Sequence, residues 1–299
     1  MPRTATPIPT PEVPFEPDAF RLRVRELAAP LWRELPWRHT RDPYLVWLSE
    51  VMLQQTQVAR VEARWDAWLE RFPSVEALAA AEDADVLDAW QGMGYNRRAL
   101  ALHRTAQTVA GTLGGRFPRG REELLALPGV GPSTAAGVRA FAFDEADVYL
   151  ETNVRAVFIH ELFPTGEQVP DRALVPLVEA ACPPSGRDVR GWYYALLDYG
   201  AHLKKTVPNP TRRSGSYARQ SRFEGSLRQK RAEVVRILLA ARAEQVELTS
   251  AQVAALLAEE ERANGREAPA AGTAEGVLEA LEREGFCSQA GGLWRAGRG

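Results

Sequence analysis

Apolar residues recur every three to four positions along most of this chain, the spacing that buries one face of an α-helix. After Asp42-Pro43, where Asp can cap free amides and Pro fits a first turn, the pattern runs through "YLVWLSEVMLQ". It continues in "VARVEARWDAWLERF", "SVEALAAAE", "ADVLDAWQG" and "RALALHRTAQTVAGTLGG", the last closed by Gly as helices often are. "REELLAL" and "PSTAAGVRAFAF" flank the motif "LPGVGPST" at 127–134, and "DRALVPLVEAAC" and "VRGWYYALLDYGAHLKK" follow. No two-residue alternation of the kind that marks a strand stands out before residue 285.

Near Thr206 the helical pattern gives way to "TVPNPTRRSGSYARQSRFEGS", rich in Pro, Asn, Ser and Gly, which reads as a linker or an extended strap. Beyond it the pattern predicts helices at 227–242, 249–262 and 273–284, then a small hairpin in "GFCSQAGGLWRAG" turning at Gly291-Gly292. Three helices and a terminal hairpin describe a winged-helix-like module. The predicted fold class is all-α.

The chain has 299 residues, 45% hydrophobic and 25% charged, enough for two or three domains with a sizeable core. Its two Cys, Cys182 and Cys287, are too few and too far apart for a disulfide framework or a Cys-cluster metal site, and fit a reducing cytoplasm. The four His form no metal spacing, so no metal is assigned. Residues 1–17 are Pro-rich and read as a loose arm rather than a targeting segment, and no apolar run is long enough to cross a membrane. A net charge of −2 points to no partner, but its distribution does. Ten basic residues stand between Lys204 and Arg236 against Glu224 and Glu233, and Arg97, Arg98, Arg104, Arg116, Arg119 and Arg121 form a second basic group. Such blocks fit contact with a polyanion or a solvated basic surface equally well.

In "LPGVGPST", Gly129 and Gly131 permit backbone angles closed to other residues, and Pro132 is placed to begin a helix. A helix, this tight turn and a second helix make a helix-hairpin-helix. Its exposed amides seat a phosphate beside a helix N-terminus, and so bind nucleic acid without reading bases. A plain corner between two helices is the competing reading. Leu127, Gly129, Val130, Gly131, Ser133 and Thr134 are the candidate DNA-binding residues of this turn.

Four segments together carry a resemblance: the hairpin, "LPWRHTRDPYLVWLSEVMLQQTQV" (35–58), "WQGMGYNRRALALH" (90–103) and "ETNVRAVF" (151–158). Over about residues 30–203 the chain resembles the helix-hairpin-helix (HhH-GPD) DNA glycosylase superfamily. It is most similar to the branch that removes adenine mispaired with 8-oxoguanine. The resemblance implies a core of two helical lobes with the DNA cleft between them. One lobe comprises 1–43 with 151–205, the other 44–150; a basic strap at 206–225 and the terminal module at 226–299 complete the chain.

Glu50 sits in a helix among Val46, Trp47 and Leu53. A carboxyl on that stripe is partly desolvated, which raises its pKa and lets it carry a proton near neutral pH. Taken alone it fits a structural Glu bonded to a backbone end; the resemblance implies that it is the general acid that protonates the departing base. A second carboxylate stabilises the positive sugar left behind. The family's Asp for this task corresponds to Glu151, one methylene longer, and Asn153 corresponds to an Asn that orients the carboxylate or, equally, caps the helix that follows. Gln55, beside Gln54, matches the residue inserted into the duplex. Tyr95-Asn96 stands where two aromatic residues are usual, and Arg33, Trp37 and Arg38 match the lining of the base pocket. Ser133 occupies the place of the Schiff-base Lys of the lyase branch, which implies a monofunctional, hydrolytic enzyme.

Two family features are missing from the sequence. The iron–sulfur cluster usually follows "DYGA", but no Cys stands near Lys204 or in the strap, so the cluster is expected to be absent. The resemblance leaves a monovalent cation at the hairpin open. The terminal module is too short and too helical to be the domain that recognises 8-oxoguanine. The expected partner is double-stranded DNA with a mispaired or damaged base, bound by a monomer in the cytoplasm, at the nucleoid, with no membrane. Two further readings stand beside adenine excision: a mismatch glycosylase for uracil or thymine, and a catalytically silent binder of distorted duplex.

Overall fold

The structure, a computed structural model, describes residues 8–165, 168–218 and 222–298. Residues 1–7 of the expected N-terminal arm and 219–221 of the strap lie outside the described residues. In chain order the helices begin with α1 (Pro17–Ala28), α2 (Pro43–Met52), α3 (Val58–Arg71), α4 (Val75–Ala79) and α5 (Asp83–Ala89). They continue with α6 (Arg97–Thr112), α7 (Arg121–Leu125), α8 (Pro132–Phe143), α9 (Thr152–Leu162), α10 (Asp171–Ala181) and α11 (Val189–Thr206). The chain ends with α12 (Leu227–Ala243), β1 (Leu248–Thr249), α13 (Ser250–Ala263), α14 (Thr273–Glu284), β2 (Cys287–Ala290) and β3 (Leu293–Ala296). Among the described residues the architecture is all-α apart from three short strands in the terminal module. Among the described residues no helix is long and apolar enough to cross a membrane.

The predicted helices form where the hydrophobic period placed them. Asp42 caps α2, its carboxylate accepting from the Tyr44 amide at 2.9 Å, and Pro132 opens α8 with Gly131 as its N-cap. α1 is not among the predicted helices. Its buried residues Phe20, Val24 and Ala28 fall four apart on a single stripe, a signal weakened by the Arg residues between them.

The chain divides into two compact units. The first comprises residues 1–50, 118–126 and 130–219. Its core gathers α1, α9, α10 and α11: Phe20 packs on Phe158 with ring centres 4.9 Å apart, and Trp192, Tyr193, Val157 and Leu174 are wholly buried. Burial of each such side chain contributes about 1.5–3 kcal/mol. Gly200 lets α11 approach α9, because a Cβ there would collide with the backbone carbonyl of Asn153.

The second unit comprises residues 51–117, 127–129 and 220–299. Trp68 and Trp90, both fully buried, meet edge to face at 5.6 Å in its helical part. The terminal module has the order helix, strand, two helices, two strands, with a three-stranded antiparallel sheet ordered β1-β3-β2. This is the winged-helix arrangement, with β1 as an addition to the predicted elements. Gly291 and Gly292 take φ of +58° and +82°, as a two-residue hairpin turn requires. The module is fastened to the helices before it by ion pairs. Arg242 donates to Asp85 at 2.8 Å and Glu82 at 2.7 Å, and Glu284 accepts from Arg97 at 2.7 Å; within the module Glu284 also accepts from Arg231 at 2.7 Å.

Candidate active site and nucleic-acid interface

In the first unit, α2 ends on a carboxyl that the rest of the site is shaped to receive. A Cβ at Gly137 of α8 would collide with Glu50 Oε2, so only glycine leaves room for that carboxyl against the helix. Glu50 shares a hydrogen bond with the Tyr149 side chain, whose ring is buried. Protein atoms crowd the carboxyl while a partial opening to solvent remains. Burial pushes the Glu50 pKa up to about 8, the Tyr149 hydrogen bond lowers it in part, and the nearby Glu151 raises it again. At neutral pH this carboxyl carries its proton.

Glu151 stands at the start of α9. Its Oε1 accepts from the amides of Asn153 at 2.6 Å and Val154 at 3.1 Å, which makes Glu151 the N-cap of that helix. The Asn153 side chain is therefore not the cap; its Oδ1 is buried with no hydrogen-bond partner among the described residues. Burial raises the Glu151 pKa, against which Lys204, the two amides and Arg155 favour the ionised form. Lys204 extends from α11 one turn beyond Gly200, and its own pKa is lowered by burial and raised by Glu151. A carboxyl with its pKa raised to about 8 and a second carboxyl held by a helix N-terminus thus lie within electrostatic reach of each other.

The hairpin forms as its sequence requires. Gly129 takes φ of +73°, and a Cβ there would lie 2.6 Å from the Ala101 Cβ, so both angle and space demand glycine. The Thr105 hydroxyl donates to the Pro128 carbonyl at 2.7 Å. Leu127, Val130 and Thr134 are buried, while Ser133 is partly exposed in the first turn of α8. That turn is the N-terminus of α8, where a helix can receive an anion.

Gln54 and Gln55 are exposed on the loop after α2, and Gln55 has φ of +54°. Tyr95 is exposed with φ of +50°, and Asn96 opens α6. Two non-glycine residues in the left-handed region, both at loop tips, are the kind of strained backbone that gathers at functional sites.

Arg33, Trp37 and Arg38 converge on an internal network. Arg38 donates to both carboxylate oxygens of Asp198 at 2.8 Å, and its guanidinium lies 4.7 Å from the Trp32 ring centre and 4.4 Å from that of Tyr194. Arg33 donates to Asp198 at 2.5 Å, and Trp37 is buried. The basic group at 97–121 is largely committed too: Arg97 to Glu284, Arg119 to Glu145, Arg121 to Asp147 and Arg98 to backbone carbonyls. The strap begins as a tight turn at Pro210–Arg213. It is clasped to residue 169, with the Val169 amide donating to the Arg213 carbonyl at 2.7 Å and the Gly215 amide to the Val169 carbonyl at 2.8 Å. Arg213 also bonds the Phe163 carbonyl.

Tyr149, Gly137, Lys204 and Asp198 join the site only in three dimensions. "VYLETN" placed a Tyr two residues before Glu151, but nothing in a single sequence ties it to residue 50.

Comparison with known proteins places this geometry. Residues 48–183 match the family described as HhH-GPD superfamily base excision DNA repair protein. An adenine DNA glycosylase of Mycolicibacterium smegmatis is 39% identical over 170 residues, which cover 56% of this chain and 58% of that protein. One of Homo sapiens is 41% identical over 134 residues, covering 42% of this chain and 24% of that protein. The chain therefore matches only part of the length of these relatives. A solved thermostable thymine-DNA glycosylase is 27% identical with a TM-score of 0.52, covering 62% of this chain and 87% of that one. An endonuclease III in a non-covalent complex with DNA shares the fold at 18% identity and a TM-score of 0.51, over 64% of this chain and 87% of that one.

Proposed function

We propose that the protein is a monofunctional DNA glycosylase of base excision repair that removes a mispaired base, adenine opposite G or 8-oxoguanine first. The observation that carries this reading is the Glu50 carboxyl seated against Gly137, its pKa raised to about 8, with Glu151 beside it. The target base leaves the stack, with Gln55 and Tyr95 entering the duplex in its place, while the hairpin amides of Gly131 and Ser133 hold a phosphate. Glu50 donates its proton to a ring nitrogen of adenine. The C1′–N bond then breaks with its electron pair leaving on the base, and Glu151 stabilises the positive sugar. Water adds to C1′ and returns a proton to Glu50, leaving an abasic site. Arg33, Trp37 and Arg38 form the wall behind the base, held by Asp198. A silent duplex binder would have no use for a carboxyl held protonated in this way.

Ser133 offers no amine, so the reading includes no strand cleavage through the hairpin helix. It also includes no iron–sulfur cluster. From Lys204 to Ala218 the side chains offer ammonium, amide, hydroxyl and guanidinium groups but no thiolate, and such a set does not fit iron. The clasp at residue 169 supports the reading by fastening the strap with backbone bonds instead.

The test is a set of duplexes bearing A, T or U opposite G or 8-oxoguanine, incubated with the protein and then treated with alkali. Alkali-dependent cleavage at A supports the proposal; no cleavage of any duplex under single-turnover conditions defeats it. The likeness to a thymine-DNA glycosylase favours a second reading, for which cleavage at T or U opposite G is the mark. Cleavage before alkali, with borohydride trapping that depends on a native Lys, would overturn the hydrolytic mechanism.

A further inference from the structure

Arg98 belongs to a run of basic residues, yet its guanidinium is turned inward and joins two loops of the second unit. Nη1 donates to the carbonyls of Val51 at 2.7 Å and Met52 at 3.1 Å. Nη2 donates to the Thr56 hydroxyl at 3.0 Å and to the carbonyls of Met93 at 3.2 Å and Gly94 at 3.1 Å. The cation also lies 5.0 Å from the ring centre of Trp90 and 5.6 Å from that of Tyr95. Thr56 tightens the same junction by donating to the Met93 carbonyl at 3.5 Å, and Trp90 Nε1 donates to the Gly94 carbonyl at 3.0 Å.

The acceptors come from two short stretches, 51–56 and 93–94. Each borders one of the loop tips with a left-handed backbone, Gln55 at φ of +54° and Tyr95 at φ of +50°. A non-glycine residue in that region is strained and persists only where its surroundings fix it. The planar guanidinium can do this because its donors diverge at fixed angles; an ammonium of equal charge cannot span the same acceptors. Burial of the guanidinium lowers the Arg98 pKa to about 10, and the nearby Tyr95 raises it in part.

We propose that Arg98 is a positioning residue for base extrusion: it locks the 51–56 and 93–94 loops together so that Gln55 and Tyr95 are presented as one rigid wedge. The inference rests on the reading of those two residues as the ones that enter the duplex. A wedge that must be assembled on the DNA loses part of its binding energy to ordering, whereas a preformed one does not.

The experiment uses the full chain and a duplex with 2-aminopurine next to the target base, whose fluorescence rises on unstacking. Arg98→Lys is compared with wild type, Gln55→Ala, Tyr95→Ala and the doubles, all well below their melting temperatures. The proposal expects Arg98→Lys to slow extrusion about 10-fold or more, and Gln55→Ala or Tyr95→Ala to add less in the Arg98→Lys background than in wild type. Binding of a duplex that already carries an abasic-site analogue, tetrahydrofuran, is expected to stay within about twofold, because no base remains to be extruded. Wild-type extrusion by Arg98→Lys, even with a lowered Tm, overturns the proposal and leaves Arg98 a purely structural residue. Should Gln55→Ala and Tyr95→Ala both extrude normally in the wild-type background, the wedge reading itself fails, whatever Arg98→Lys does. Additive effects show that Arg98 acts by another route and reject the coupling.

Discussion

The end of α2 and the start of α9 each bring a glutamate to one site, and the two are treated in opposite ways. Around Glu50 the protein supplies a glycine-shaped space, an aromatic hydroxyl and a neighbouring carboxylate, with no cation among the causes of its shift. Around Glu151 it supplies two amides at a helix N-terminus, Lys204 and Arg155, which oppose only part of the rise that burial causes. Burial raises both pKa values, but only Glu151 has cations and helix amides that favour its ionised form, the asymmetry that an acid and an electrostatic stabiliser call for. The coupling is mutual, since an ionised Glu151 helps Glu50 keep its proton.

The largest expected effect comes from removing the proton donor. Glu50→Gln should retain duplex binding and lower single-turnover base release by at least about 10³-fold, within the range for general acids; unchanged release would end the assignment. Next comes placement of the carboxylate. Glu151→Asp should still cap α9, because Asp is among the best N-caps, yet withdraw its charge by about a methylene and slow release by about 10²-fold. A Tm that holds while the rate falls would separate the two roles of Glu151, and a rate that rises would show that the site is not built around Glu.

The pH profile sharpens the contrast further. Release should fall above about pH 8 as Glu50 loses its proton. Lys204→Met removes a charge that favours ionised Glu151, so the low-pH limb should move upward, with Lys204→Arg restoring it. An unmoved limb would place Lys204 outside the site. The smallest effect is on stability. Because the pKa of Glu50 is raised from 4.5 to about 8 in the folded protein, folded chains hold a proton that unfolded chains release. Its contribution is full below pH 4.5 and is lost as pH rises toward 8. Glu50→Gln should thus raise Tm at pH 8 by about 2–4 °C or more and change it little at pH 4, as thermal melts would show.

Local pattern was enough for much of this. α8 spans the predicted 132–143, the hairpin turns on Gly129, and the three helices of the terminal module fall within about a residue of their predicted bounds. α1 escaped because charged residues interrupt its stripe, and β1 because two residues carry no period. Within the site, Glu50 was legible as a carboxyl on an apolar stripe. Gly137, Tyr149 and Lys204 were not, since each acts through space from another element. The cap was assigned to Asn153 as an alternative, whereas Glu151 fills it, a choice that depends on side-chain reach rather than residue type. Arg98 shows the same limit from the other side: charge alone suggested a surface contact, and only the positions of five acceptors reveal an internal tie.

The clasp that holds Pro210–Arg213 beside residue 169 is made of peptide bonds' own donors and acceptors together with one guanidinium. Nothing in it can be stripped by a chelator or burned by peroxide. A strap fastened this way would keep its place under oxidative stress.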